Sequence, residues 1–437
     1  MFIGVLIIIA FIIIAVLMAT KKLPALFALP VMAIAVAVLA RFPIMGEDSL
    51  FNLVLVDGTT YLAGTAFLIF IACWLSGIMD RTGVTQTLIK KAAELGGDKP
   101  VIIALLLCAV TAFLFTSLYG TGAAMMVSGV VLPIMLSIGV PPAAAANLFL
   151  MAFGIGYSLN TANMSALTQV AGIEFTDLRM PAIVLAAGAG IFIVVYLFFI
   201  FKKGAKKIAF AAPVETEEDV DEEEAFAPEK QVKGIRGMMA CLTPLIIVVL
   251  TMVFGVPPMA CFYIGILWLV IFTVNKNIKQ YVNMLVTAFH EAGKDAAPPI
   301  GLCIGIGMAL KAMTAARTQE SIQVFMDVIT PGTVFILVIF VIILAPGVLY
   351  RGPLNIYGLG AGLLACMITT GKLSPVILGA VFYSLCRWAN DGCPTSTVVV
   401  YVSNYVGSDS ITATNKLFLW RWALTAVTTI AVAVLLI

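Results

Sequence analysis

Residues 116–171 and 349–406 follow one pattern: an apolar segment, a Gly-rich tip, a second apolar segment, a proline, then an abrupt polar break. The breaks read Ser158-Leu159-Asn160-Thr161-Ala162-Asn163 and Asn390-Asp391-Gly392-Cys393-Pro394-Thr395-Ser396-Thr397. Lipid offers no hydrogen-bond partner, so unwound backbone at membrane depth survives only where protein or a water-filled cavity supplies one. A duplicated pair of such breaks points to a secondary transporter, with its binding site where the broken helices meet.

The rest of the chain agrees with membrane residence. Its 437 residues are 62% hydrophobic and 11% charged, which argues against a soluble enzyme. A formal net charge of +2, dispersed along the chain, gives no footprint for nucleic acid. The eight cysteines lie in or beside apolar segments without metal-ligand spacing and read as small core residues, except Cys393 in the second break. No Walker loop, HExxH or nucleophile elbow is present, so neither ATP-driven transport nor hydrolysis is expected, and no cofactor or metal beyond bound Na⁺. Residues 2–18 lack a basic leader and read as a first transmembrane helix, not a cleaved signal.

The sequence predicts an all-α polytopic fold. Apolar runs place spans at 2–19, 23–41, 61–79, 143–174, 181–201, 238–255, 258–275, 296–314, 374–405 and 414–437. Doubled-back runs at 100–138 and 332–370 have arms of about 16 residues, short for a crossing, and read as re-entrant hairpins. Lys22, Arg81, Lys90, Lys91, Lys99 and Lys202 then face the cytoplasm, as do Lys279, Lys416 and Arg421 in the second half. Both halves satisfy this rule only if they are inverted, giving a first repeat at 1–201, a cytoplasmic linker at 202–236 and a second repeat at 237–437. Segments such as 74–88 and 308–322 correspond at a nearly constant offset. Amphipathic stretches at 84–95 and 319–329 would lie on opposite membrane surfaces, as lever arms or simple connectors.

A half-helix that begins at a break aims its N–H groups and positive dipole end inward, suited to a carboxylate, while the preceding half-helix offers carbonyls to a cation. Asn160, Thr161 and Asn163 in the first break and Thr395, Ser396 and Thr397 in the second are candidate substrate ligands. Ser117 and Thr121 at the first tip, and Arg351 and Asn355 at the second, extend that set; the Arg351 guanidinium matches a carboxylate. Ser158, Asn160, Asp391 and Cys393 are candidates for the coupling ion. Asp391 has a second reading, an ion pair with Arg387 one turn earlier, and both stay open. His290 and Lys311 are weaker candidates near helix ends.

At these breaks and tips the chain resembles the ion transporter superfamily, which includes the divalent anion/sodium symporters, the citrate-metal symporters and the membrane subunit of TRAP transporters. The citrate-metal group is the nearest in Ser76-Gly77-Ile78-Met79-Asp80-Arg81-Thr82-Gly83, in the hairpin after Lys99-Pro100 and in His290-Glu291-Ala292-Gly293. The first tip, Ser117-Leu118-Tyr119-Gly120-Thr121-Gly122, departs from that group in having no carboxylate. The resemblance implies an inverted-repeat scaffold and transport domain, commonly a homodimer, working by an elevator-like displacement. The expected protein is therefore a multi-pass carrier in the lipid of a bacterial inner membrane, moving a small organic anion, a di- or tricarboxylate, with Na⁺ or H⁺. A TRAP-like subunit dependent on a soluble binding protein and a cation/proton antiporter are the alternatives.

Overall fold

The computed structural model describes residues 2–20, 22–202, 232, 234–274 and 277–436, with the side chains of Ala19 and Arg351 outside the description. Most of the expected linker at 202–236 falls outside the described residues. Those described form helices and loops, with no strand among them.

The first half runs through helices Phe2–Ala19 and Ala25–Leu39, then a long span that opens as a π-helical stretch, Leu50–Asp57, and continues to Ala63–Arg81. A surface helix, Val84–Leu95, leads to the helices Pro100–Phe115 and Thr121–Ser137, expected as hairpin arms. The first broken helix follows, Pro142–Leu159 and Thr161–Ala171, and then Arg179–Lys202. The second half repeats this order. Gly234–Met252, Pro258–Thr273 and Ile278–Thr314 precede a surface helix, Ala316–Ile329, which meets the next helical segment at 91°. The helices Val334–Leu344 and Gly360–Thr369, expected as hairpin arms, the second broken helix Pro375–Asp391 and Thr397–Tyr405, and Phe418–Leu436 complete it.

Proline sets several of these starts. Pro100, Pro142, Pro258 and Pro375 stand in the first turn of their helices, where the missing N–H would have had no partner. Among the described residues, six helices are long and apolar enough to cross a membrane: 50–81, 142–159, 175–202, 234–252, 278–314 and 418–436. The spans expected at 61–79 and 296–314 are each longer, because polar residues such as Asn52 and Lys294 lie on helix turns that an apolar count passes over.

Arg421, expected among the cytoplasmic charges, is fully buried inside the fold. Its partners come from distant segments, so local hydropathy could not place it.

The two long spans pack along each other. Their backbones touch where Gly58 faces Gly307: a Cβ on Gly58 would lie 2.7 Å from the Met308 Cα, and one on Gly307 would overlap the Gly58 carbonyl. Small residues permit this approach between spans. Gly307→Ala is expected to cost about 1–3 kcal/mol, read as earlier unfolding in detergent. Gly129→Ala, with no described neighbour within 4 Å, is the control and should not destabilise.

Candidate functional site

The first broken helix stops at Leu159 and restarts at Thr161, with Asn160 between them in an extended conformation, φ −77° and ψ 121°. Its side chain explains why the break is stable. The Asn160 Oδ1 accepts from the Ala162 and Asn163 amides at 3.0 and 3.3 Å, capping the new half-helix. Its Nδ2 donates to the carbonyls of Phe115 and Leu118, both at 3.0 Å, where the first hairpin arm ends. One fully buried amide therefore satisfies four backbone groups that unwinding had orphaned, and pins the tip to the break.

Tyrosines carry this connection into the second half. The Tyr383 hydroxyl donates to the Ser158 carbonyl at 2.6 Å, while the Tyr357 hydroxyl lies 2.7 Å from Asn163 Oδ1. The Tyr357 amide in turn donates to Asn355 Oδ1 at 2.9 Å, and Asn355 Nδ2 donates to the Val348 carbonyl at 3.0 Å. A continuous polar chain thus runs from the first tip through Asn160, Asn163 and Tyr357 to Asn355 in the second tip. Tyr119 stacks on Tyr157 with ring centroids 5.3 Å apart beside it.

Of the expected ligands, this chain gathers Asn160, Asn163 and Asn355, with Ser158 adjoining. Ser117 is buried and turned back to its own helix, donating to the Leu114 carbonyl at 3.3 Å. Thr121 is half-buried at the start of the second arm. Thr161 is fully buried and its hydroxyl has no partner among the described residues. Burying a hydroxyl without a partner is unfavourable, so this atom is one that a ligand or water would satisfy.

The second break is built differently. Ser396 precedes the half-helix Thr397–Tyr405 but makes no side-chain cap, so its first amides stay available. Thr395 and Ser396 are half-buried and Thr397 is exposed, in contrast to the sealed first break. Cys393 ties this break to the second tip, its sulfur 3.2 Å from the Tyr350 amide and 3.1 Å from Thr395 Oγ1. Tyr350 takes a left-handed conformation, φ 55°, which a bulky residue adopts only where its surroundings hold it. Arg351 follows directly in the chain, but its side chain lies outside the described residues.

Asp391 ends the helix Pro375–Asp391 in a buried charge cluster. Arg387 Nη1 is 2.6 Å from Asp391 Oδ2, and Arg421 Nε is 3.8 Å from Oδ1. Arg421 Nη2 also donates to Asn147 Oδ1 at 3.0 Å, and Asn147 Nδ2 donates to the Ala413 carbonyl at 3.2 Å. The cluster joins the first broken helix, the second broken helix and Phe418–Leu436.

Sequence reasoning missed the tyrosines, Asn147, Arg421 and Asp295, whose carboxylate meets the first tip. Only Tyr119 and Tyr157 carried a local signal, by flanking a tip and a break. A separate cavity of about 340 Å³, lined in part by Asp48, Lys311 and Arg317, sits at the far end of the long helix; the Lys311 ammonium there lies 5.1 Å from the Tyr61 ring centroid. His290 is exposed.

The family model for the C4-dicarboxylate anaerobic carrier, DcuC, matches residues 1–351. The chain belongs to this family. It is a carboxylate carrier and not an enzyme, an integral membrane protein with several spans, and its place in the ion transporter superfamily agrees with the resemblance of its breaks and tips. The match ends within the second tip, before the second break. Among solved structures, the carrier is similar to the YdaH transporter of Alcanivorax borkumensis, a transporter described as having an unusual topology. The TM-score is 0.50 at 14% identity, over 90% of this chain and 89% of that one, a likeness of fold alone. No curated protein sequence matches the carrier.

Proposed function

We propose that the carrier moves C4-dicarboxylates across a bacterial inner membrane by secondary transport coupled to Na⁺ or H⁺. The observation that carries this reading is the unequal pair of breaks, the first joined to the second tip by one hydrogen-bonded chain. The first break is sealed by its own asparagine, whereas the second leaves the amides ahead of Thr397 uncapped beside half-buried Thr395 and Ser396. Uncapped amides at a half-helix start favour a carboxylate. One substrate carboxylate sits there with Thr395, Ser396 and Thr397, and Arg351 neutralises it. The partnerless Thr161 hydroxyl, together with Asn163 and Asn355, receives the second carboxylate, with Ser117 and Thr121 at the edge.

Ser158 and Cys393 stay as candidates for contact with a coupling ion, whereas the Asn160 amide is taken up by four backbone groups. Asp391 belongs to the arginine cluster in the conformation described. The repeated order of helices supports two repeats, 1–201 and 237–437; their inversion about a cytoplasmic linker, and an elevator-type unit of hairpins and broken helices in a lipid-embedded homodimer, are what the superfamily resemblance implies.

Uptake of a labelled C4-dicarboxylate into proteoliposomes tests the function. Saturable, gradient-dependent accumulation is expected; no uptake of any C4-dicarboxylate sinks the reading. Arg351→Gln should raise KM by about ten- to a hundredfold, the worth of a charge-assisted hydrogen bond of about 1.5–3 kcal/mol. An unchanged KM removes Arg351 from the site.

A further inference from the structure

We propose that Asp295, on the long helix Ile278–Thr314, is the carboxylate that binds the coupling cation, and that cation binding releases the first hairpin tip from this helix. The inference rests on the reading of the protein as a coupled dicarboxylate carrier.

The first tip has no carboxylate of its own, and the fold supplies one from the other half of the chain. The Asp295 carboxylate lies directly against the Gly122 backbone. The fit is tight: a Cβ on Gly122 would overlap the carboxylate, and one on Gly120 would lie 3.4 Å from the Asp295 Cβ and 3.1 Å from the Cys73 sulfur. Gly120 has φ +101°, a conformation that favours glycine, so the tip is shaped to receive this side chain.

Two further features make the place suited to a cation. Pro298 and Pro299 stand inside the long helix just beyond Asp295. Lacking N–H groups, they deprive the carbonyls of Lys294 and Asp295 of their helical donors, leaving two backbone oxygens on the same turn as the carboxylate. Asp295 is also half-buried, so water can reach it. Asp391 is fully buried between two arginines.

The surrounding charges, among the described residues, leave Asp295 without a permanent cationic partner in contact. Glu291, one turn earlier, is held by Arg81, whose Nε lies 3.0 Å from its Oε2. Asp80 accepts from Gln86 at 2.7 Å. Lys294 is exposed. Cys73 is the titratable group that faces Asp295 from Ala63–Arg81. The hairpin arm Thr121–Ser137 and the helix Ala25–Leu39 contain no ionisable side chain, and Gly360–Thr369 contains only Cys366.

A neutralised carboxylate attracts the backbone dipoles of the Gly120–Gly122 tip less strongly. The consequence reaches the substrate site through the tip, because Asn160 donates to the Leu118 carbonyl and Tyr157 stacks on Tyr119 of the tip.

The test compares Asp295→Asn with the wild type in proteoliposomes, using uphill accumulation of a labelled C4-dicarboxylate driven separately by a Na⁺ and by a pH gradient, and one-for-one exchange without either gradient. The neutral amide of the variant cannot take a proton and holds Na⁺ far more weakly than a carboxylate, so accumulation should fall at least tenfold under whichever gradient drives the wild type, with exchange kept within about threefold; the arm that drives the wild type identifies the cation. Accumulation by Asp295→Asn equal to the wild type overturns the inference, as does exchange that falls in parallel with accumulation, which marks a structural role. Wild-type exchange without gradient-driven accumulation also overturns it, leaving dicarboxylate transport intact. Absence of both from the wild type defeats the underlying reading. If Asp295→Asn does not fold, Asp295→Glu should shift the half-saturating Na⁺ concentration or the pH midpoint of uptake by threefold or more, and an unchanged value overturns the proposal.

Discussion

Asp391→Asn is expected to destabilise the folded carrier by about 3–5 kcal/mol and to remove most of it from the membrane, because it strips two buried guanidiniums of the one carboxylate that meets them among the described residues. Arg387 and Arg421 are both inaccessible to water. Their remaining partners are neutral: the Thr425 hydroxyl for Arg387, at 3.5 Å, and Asn147 Oδ1 and the Thr414 carbonyl for Arg421. None of these offsets the charge. The position of Asp391 at a helix C-terminus helps slightly, since the dipole there favours cations, but that effect is at most about 2 kcal/mol. Removing one arginine along with the acid should be milder than the sum of the two changes, so Arg387→Met combined with Asp391→Asn should show a coupling energy of roughly 1–3 kcal/mol. Unfolding in detergent and the yield of folded protein give the numbers. Normal yield and unfolding of Asp391→Asn would show that the cluster is not what holds the three helices together.

That cluster also shows where the sequence ceased to be legible. The i, i+4 spacing of Arg387 and Asp391 announces an ion pair, and it forms. Arg421 announces nothing, because the residues that bury it are separated from it by tens to hundreds of positions. The breaks were visible for the opposite reason: proline starts and hydroxyl- or amide-rich gaps are local signals. So were the all-helical class, the membrane setting and the ion transporter superfamily. What the breaks do was less visible. Both looked like lining for a solute, yet the Asn160 amide is fully used in holding backbone, whereas Ser396 makes no cap at all. The two segments have similar composition, and only the tertiary neighbours separate the closed one from the open one. Asp295 was hidden in the same way: in sequence it belongs to a charged helix start, and only the packing of that helix brings it to a glycine tip in the other half.

Asn160→Ala should abolish gradient-driven uptake while lowering stability by about 2–4 kcal/mol. The substitution leaves the Phe115 and Leu118 carbonyls without their donor and the Ala162 and Asn163 amides without their acceptor. In a site with no exposure, each orphaned group costs about 1–3 kcal/mol unless water enters, and the space vacated by the amide gives water a way to recover part of this. Function has no comparable relief. Water can satisfy a carbonyl but cannot fix the distance between the hairpin tip and the break, and a binding site needs its groups held to within about 0.5 Å. Asn160→Asp keeps the acceptor and removes both donors, setting a carboxylate against two carbonyl oxygens, and is expected to be as inactive. Asn160→Gln adds a methylene to a filled site and should not rescue. Thr397→Val changes an exposed side chain at the open break and should leave stability unchanged while raising KM. If Asn160→Ala instead transports normally with only KM raised, the first break is a lining and not a fastening, and the two breaks act alike.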